Sequence, residues 1–341
     1  MSTPKTGTPP AVERGTREIT MAQAIREALA EEMRRDPRVF IIGEDVAEAG
    51  TPFKVLSGLV EEFGRERVID APISEAGFTG IAIGAAMTGM RPVVDIMFGD
   101  FITLAMDQIA NQAAKVHYMS GGKLKVPLVI RTTLGATRRS AAQHSQSLHA
   151  WVSHIPGLKV VLPSTPYDAK GLLKTAIRDD NPVVFFEDKM MYQLKGEVPE
   201  EEYTIPFGVA DVKREGEDIT IVATSSMVQV ALAAAELLAR DGIRAEVIDP
   251  RTIVPLDKQT ILASVKKTGR ALVVDEGYQR FGTTAEIAAI IADEAFYDLD
   301  APVKRIGAMD VPVPFSPVLE DLTVPTPERV AEVARQLCGR G

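Results

Sequence analysis

Apolar positions along the chain alternate between two spacings. Over residues 21–33 they recur at helical intervals (Ala24, Ile25, Ala28, Leu29), and the run stops before Asp36-Pro37. A short continuous apolar run over 39–42 then reads as a buried strand. The same patterns predict a helix over 74–87, a strand over 91–97, a helix over 103–116 and strands over 127–131 and 159–162. A helix over 168–177 and a strand over 182–186 follow. Strands alternating with helices predict a mostly parallel sheet covered on both faces. Residues 190–216 break the rhythm with Glu200-Glu201-Glu202, Pro199 and Pro206, and read as a linker. Beyond it, strands over 219–223, 245–248, 271–274 and 303–306 alternate with helices over 228–239, 258–265 and 284–295.

The expectation is therefore α/β: two consecutive domains with mostly parallel sheets, over 18–190 and 217–341, joined by a linker over 191–216 and preceded by a disordered tail, 1–17. With 341 residues, 45% of them hydrophobic, two full cores are within reach. The net charge of -9, from 47 acidic and 38 basic residues, argues against a nucleic-acid-binding face, which would be basic. No apolar stretch is long enough to span a bilayer. The single cysteine, Cys338, excludes an intrachain disulfide and a cysteine-bound metal, and fits a reducing, cytoplasmic location. The first sixteen residues, rich in Pro, Thr and Gly, resemble neither a secretory nor a mitochondrial leader.

Three stretches carry candidate chemistry. In Asp70-Ala-Pro-Ile-Ser-Glu75, Ser74 is suited to cap the helix that follows and Glu75 falls in its first turn. Two readings stand for Glu75: a carboxylate complementing the helix dipole, or a functional acid between strand and helix, where α/β ligand sites form. The helix has no further charge before Arg91 and is expected to be deeply buried. Gly77, Gly80, Gly84 and Gly89 along it point to close approach of another helix, across a subunit interface, or else to loose internal packing. His144, in Ser140-Ala-Ala-Gln-His-Ser-Gln-Ser147, lies in a polar loop after the basic pair Arg138-Arg139, which is placed to attract an acidic group. It is either catalytic or an ordinary loop histidine. Asp179 and Asn181 close a helix whose last carbonyls lack partners; an oxygen-lined cation site and a plain C-terminal turn both fit. No dinucleotide fingerprint, P-loop, hydrolase elbow or zinc-protease motif occurs.

Four segments together resemble a known family: Gly43-Glu-Asp-Val46, Pro72-Ile-Ser-Glu75, Ala142-Gln-His-Ser-Gln146 and Pro156-Gly-Leu-Lys-Val160. They are similar to the beta subunit of the thiamine-diphosphate-dependent decarboxylase component of pyruvate, branched-chain 2-oxo acid and acetoin dehydrogenase complexes. The resemblance runs from about Glu18 to the end, through Asp249-Pro-Arg-Thr-Ile-Val-Pro255, and Pro163-Ser-Thr-Pro-Tyr-Asp-Ala-Lys-Gly171 looks nearest the acetoin branch. It implies a transketolase-like pyrimidine-binding domain followed by a transketolase C-terminal domain.

By the same resemblance, Glu75 binds the pyrimidine ring nitrogen of thiamine diphosphate and Phe101 stacks on that ring. His144 assists transfer to the lipoyl group, and Glu44 belongs to an acidic tunnel linking two active sites. Leu128, Ala176, Ile177, Asp179 and Asn181 match a potassium site made mostly of backbone carbonyls. The implied partners are an alpha subunit, in a heterotetramer of two alpha and two beta chains, and a lipoyl-bearing dihydrolipoyl acyltransferase core. Asp293, Glu294, Asp298 and Asp300, near Tyr297, are candidates for docking that core. The chain has no Gly-Asp-Gly, so the magnesium that holds the cofactor's diphosphate is assigned to the alpha chain. The segment 132–139 departs from the family's glycine-richer loop, which leaves pyruvate, acetoin and branched-chain oxo acids all open as substrates. Two other readings remain: a non-catalytic assembly subunit, and a stand-alone transketolase-like enzyme. The latter would need a further diphosphate-binding half of roughly 200 to 300 residues.

Overall fold

The computed structural model describes residues 15–339. Its strands are β1 (Thr16–Thr20), β2 (Val39–Gly43), β3 (Val68–Asp70), β4 (Arg91–Ile96), β5 (Val129–Leu134), β6 (Lys159–Val161) and β7 (Val183–Asp188), then β8 (Lys195–Pro199), β9 (Asp211–Arg214), β10 (Ile219–Ala223), β11 (Ala245–Asp249), β12 (Thr252–Val254), β13 (Ala271–Tyr278) and β14 (Lys304–Ala308). Its helices are α1 (Met21–Arg35), α2 (Leu59–Phe63), α3 (Glu75–Met87), α4 (Val116–Met119), α5 (His149–Ser153) and α6 (Pro166–Arg178), then α7 (Met227–Arg240), α8 (Lys258–Thr268), α9 (Thr283–Glu294), α10 (Pro317–Glu320) and α11 (Pro327–Leu337).

A seven-stranded sheet runs β12-β6-β7-β5-β4-β2-β3, parallel except for β12. A five-stranded sheet runs β14-β13-β10-β11-β9, parallel except for β9. The central strands of both are buried along their length because helices cover both faces, and most of their residues are apolar. Local signals fix the helix starts. Thr20 and Gln23 form a reciprocal capping box on α1, and Thr165 caps α6 with Pro166 at its first position. The two helices pack together, and Lys170 and Lys174, fully buried on α6, each reach Glu31 at 2.7 Å.

Several expectations need correction. The segment 190–216 is no structureless linker: β8 pairs with β1, and β9 edges the second sheet. Residues 16 and 17 of the expected tail belong to β1, and residues 1–14 lie outside the described ones. The motif at 249–255 sends β12 back onto the first sheet, while Arg251 pairs with Asp168 at 2.7 Å, so this stretch joins the domains. The helix expected over 103–116 is instead a 3-10 segment from Gly99 to Ala105 and a π-helical one from Gln108 to Ala113, before α4. Gly99 is pressed against the Thr133 carbonyl and Gly157 against that of Ala114, which pins the segment near both ends.

The helix α3 is not deeply buried. It lays Phe78, Ala82, Ile83 and Ala86 on the sheet, but Ile81 is 63% exposed and Gly77 and Gly84 face outward. Its apolar composition thus reflects two apolar faces, of which this chain covers one.

Candidate active site

The site residues gather where parallel strands end. Glu44 follows β2, Glu75 opens α3 after β3, Phe98 and Phe101 follow β4, the loop with His144 follows β5, and Lys189 follows β7. These are the carboxyl ends of neighbouring strands, where open α/β sheets bind ligands.

The turn carrying Glu44 is set by its neighbour strand. Asp45 takes a left-handed conformation (φ 52°), and the Asp70 carboxylate accepts the Ala47 N–H at 2.8 Å. Burial, then the negative charges of Asp45 and Glu75, push the Glu44 carboxyl above its ordinary range. Glu44 and Glu75 therefore share one acidic corner. Ser74 occupies the cap position of α3, but its hydroxyl donates back to the Pro72 carbonyl at 3.0 Å rather than capping the helix.

A ring cluster follows the ends of the neighbouring strands β4 and β5. The His144 imidazole meets Phe98 at 4.6 Å and Phe101 at 5.2 Å between centroids, both edge to face. The His144 carbonyl accepts from the buried Lys189 ammonium at 2.6 Å. Burial lowers the Lys189 pKa, and Asp188, Glu276, Asp100 and Glu320 partly restore it. Asp100 is buried and accepts from the Gln146 side chain at 2.8 Å, so it braces the His144 loop. Arg139 is not available to attract a ligand: it pairs with Glu320 and Asp321. Arg138 is exposed and lies over the Phe53 ring at 5.4 Å.

Sequence reasoning missed the ionic layer beneath. Arg131 on β5 is bidentate to Glu187 on β7 at 2.7 Å and paired with Asp95 on β4; the Tyr192 hydroxyl donates to Glu187 at 2.8 Å. Burial raises the Asp95 pKa to about 6 against the opposing effect of Arg131. The signal was a charge at matching places in three apolar strands. The strands expected over 127–131 and 182–186 stopped at Arg131 and before Glu187, whereas β5 and β7 run past these charges; the one expected over 91–97 already held Asp95.

The five residues matched to potassium lie at the opposite edge, before β5 and β7. There Arg91 donates to the Ile177 and Asp179 carbonyls at 2.8 Å each, and the Leu128 carbonyl accepts from Val183 at 2.9 Å. The Ala176 carbonyl accepts from the Asp179 N–H at 3.3 Å, a long bond. Asn181 donates to Asp179, whose other oxygen pairs with Lys159. In the docking candidate near Tyr297, Glu294 already pairs with Lys258 and Asp300 with Arg270. Among the described residues no group of three or more His, Cys, Asp or Glu side chains is arranged to hold a metal ion, and no helix is long and apolar enough to cross a membrane.

Comparisons with known proteins identify the family. Residues 17–195 match the transketolase pyrimidine binding domain and 208–330 the transketolase C-terminal domain. The acetoin:2,6-dichlorophenolindophenol oxidoreductase subunit beta of Bacillus subtilis is 53% identical over 335 residues, 95% of this chain and 98% of that protein. The pyruvate dehydrogenase E1 component subunit beta of Rickettsia felis is 51% identical and the 2-oxoisovalerate dehydrogenase subunit beta of Bacillus subtilis 49%; each match covers 94% of this chain and 98% of the relative. Among solved structures, a split-gene transketolase in an inactive beta4 tetramer superposes with a TM-score of 0.78 at 23% identity, over 94% of this chain and 98% of that one, a likeness of fold. A pyrimidine-binding domain implies thiamine diphosphate, and a beta subunit implies an alpha partner. The chain belongs to the beta subunits of the thiamine-diphosphate-dependent E1 component of pyruvate, acetoin and branched-chain 2-oxo acid dehydrogenase complexes.

Proposed function

We propose that this chain supplies the pyrimidine half of a cofactor site shared with an alpha subunit, in a heterotetramer of two alpha and two beta chains. There a short 2-oxo acid or acetoin is cleaved and the acyl group passes to a lipoyl group on a dihydrolipoyl acyltransferase core. The observation that carries the reading is that the Glu44–Glu75 corner and the Phe98–Phe101–His144 ring cluster follow the carboxyl ends of neighbouring parallel strands of one sheet.

These residues fit a pyrimidine: an acid for the ring nitrogen, an aromatic face for the ring and an imidazole beside it. When bound, thiamine diphosphate supplies the electron sink for bond cleavage. Glu75 holds the proton at the ring nitrogen, Phe101 orients the ring, and His144 serves the acyl acceptor. Glu44, beside Glu75, serves as the first acid of a proton path to a second site. Retention of Glu75 and His144 separates this reading from that of an assembly subunit without catalysis.

The diphosphate and its magnesium fall to the alpha chain, since the nearest approach to Gly-Asp-Gly, Gly99-Asp100-Phe101, uses its aspartate to hold Gln146. Potassium fits the edge near Asn181 through the second lone pairs of the Leu128, Ala176, Ile177 and Asp179 carbonyls. Trp151, Phe281 and Tyr297 stand exposed, as partner-facing aromatics do. The single cysteine suits the reducing cytoplasm.

Calorimetric titration of thiamine diphosphate and magnesium into the purified chain should show little binding, and adding the alpha chain should restore it. Micromolar or tighter binding to this chain alone overturns the shared site. Assay of the co-expressed pair on pyruvate, acetoin and branched-chain oxo acids identifies the substrate.

A further inference from the structure

Between β5 and α5 the backbone enters the left-handed region at alternate residues: Gly135 (φ 99°), Thr137 (68°), Arg139 (59°) and Ala141 (61°). Only glycine enters that region freely, and three of these four are not glycine. Such a loop persists when its surroundings over-determine it. The surroundings here come from the C-terminal domain. Glu276 on β13 accepts the Ala136 N–H at 2.6 Å and the Ser226 hydroxyl at 3.0 Å. Glu320 at the end of α10 is fully buried; it accepts the Thr137 N–H at 2.7 Å and pairs with the Arg139 guanidinium at 2.8 Å.

The contact is too close to be incidental. A Cβ placed on Gly135 would stand 3.0 Å from an Asp188 carboxyl oxygen and 3.1 Å from one of Glu276. Burial and the facing Asp188 charge push the Glu276 carboxyl well above its ordinary range. The loop that is clamped in this way then runs on to His144, whose carbonyl Lys189 holds.

We propose that Glu276 and Glu320 are positioning residues: through them the C-terminal domain fixes the 135–147 loop and so sets where the His144 imidazole stands during acyl transfer. The inference rests on the acyl-transfer reading of His144. Both carboxyls are occupied by protein donors, so they act through the loop and not on the reacting atoms.

The test uses the assembled alpha–beta enzyme with Glu320→Ala, Glu320→Gln and His144→Ala. Glutamine keeps an acceptor for the Thr137 N–H and loses only the ion pair with Arg139. Amide hydrogen exchange over 135–147 should quicken about tenfold in Glu320→Ala, with Glu320→Gln between it and the parent. The ratio of lipoyl acylation to decarboxylation with an artificial electron acceptor should fall about tenfold in Glu320→Ala, as expected for a displaced catalytic group, and recover in part in Glu320→Gln. If Glu320→Ala does not assemble, Glu320→Gln alone should still show faster exchange and a lowered ratio. Unchanged exchange in both Glu320 variants overturns the clamp. A ratio that falls in His144→Ala but not in the Glu320 variants overturns it while leaving the role of His144 standing. A ratio unchanged in all three, with faster exchange, removes the acyl-transfer reading and the inference built on it.

Discussion

The Lys189 ammonium, buried just past the end of β7, donates a 2.6 Å hydrogen bond to the main-chain carbonyl of His144. One cation thus ties the His144 loop to the sheet while the charges of Asp188, Glu276, Asp100 and Glu320 act on it. Lys189→Met keeps the length of the side chain and removes its charge. Uncompensated buried charges of this kind cost about 3 kcal/mol, so the melting temperature should fall by several degrees. Turnover of the assembled enzyme should fall with it, because the loop loses its anchor. Parental stability and turnover in this variant would show that the ammonium anchors nothing.

The layer under the site makes a prediction about pH. Burial outweighs the pairing with Arg131 and pushes the Asp95 carboxyl up to about 6 in the folded chain, from an ordinary value of 3.8. A raised folded pKa means that the folded state holds the proton more tightly. The stabilisation is then full below the unfolded pKa and is lost as pH rises through the folded one. Denaturant titrations of the parent and Asp95→Asn from pH 4 to 8 should show the carboxyl's advantage over the amide shrinking up to about pH 6 and level above it. An advantage that grows with pH would mean that Arg131 keeps Asp95 ionised.

The outward glycines of α3 separate folding from assembly. A Cβ on Gly84 meets nothing within 4 Å in this chain, and the residue lies inside the helix. Gly84→Ala should therefore stabilise the isolated chain by up to about 1 kcal/mol, through helix propensity. Gly84→Phe should fold as well but weaken association with the alpha chain by more than about tenfold, or about 1.4 kcal/mol, if that face is the contact. Analytical ultracentrifugation of the mixed chains reads this directly. Undiminished assembly of Gly84→Phe would free the face for another role.

The fold was legible in the sequence because burial on both faces turns parallel strands into continuous apolar runs, as at 39–42 and 219–223. The site was legible in part. Glu75, Phe101, His144 and Glu44 follow strands at places the pattern marks, and the structure sets the His144 ring against Phe98 and Phe101 and Glu44 within electrostatic reach of Glu75. What escaped depends on contacts between residues far apart in the chain. Arg131 meets Glu187 across 56 positions and Ala136 meets Glu276 across 140, and neither pairing leaves a periodicity. The strand β12 escaped for a related reason: three residues of the second half complete the sheet of the first, and so short a run carries no signal of its own.

Replacement of Glu75 by glutamine tests the central claim most directly. The two side chains are nearly isosteric, so the chain should fold, bind its alpha partner and melt as the parent does. Glutamine cannot share a proton with the pyrimidine nitrogen, and proton transfer by a positioned side chain is worth about 100- to 10,000-fold in rate. The reconstituted Glu75→Gln enzyme should therefore lose at least about two orders of magnitude in decarboxylation measured with an artificial electron acceptor, with assembly intact. Near-parental turnover in that assay would contradict the assignment of Glu75 and, with it, the pyrimidine half of the shared site.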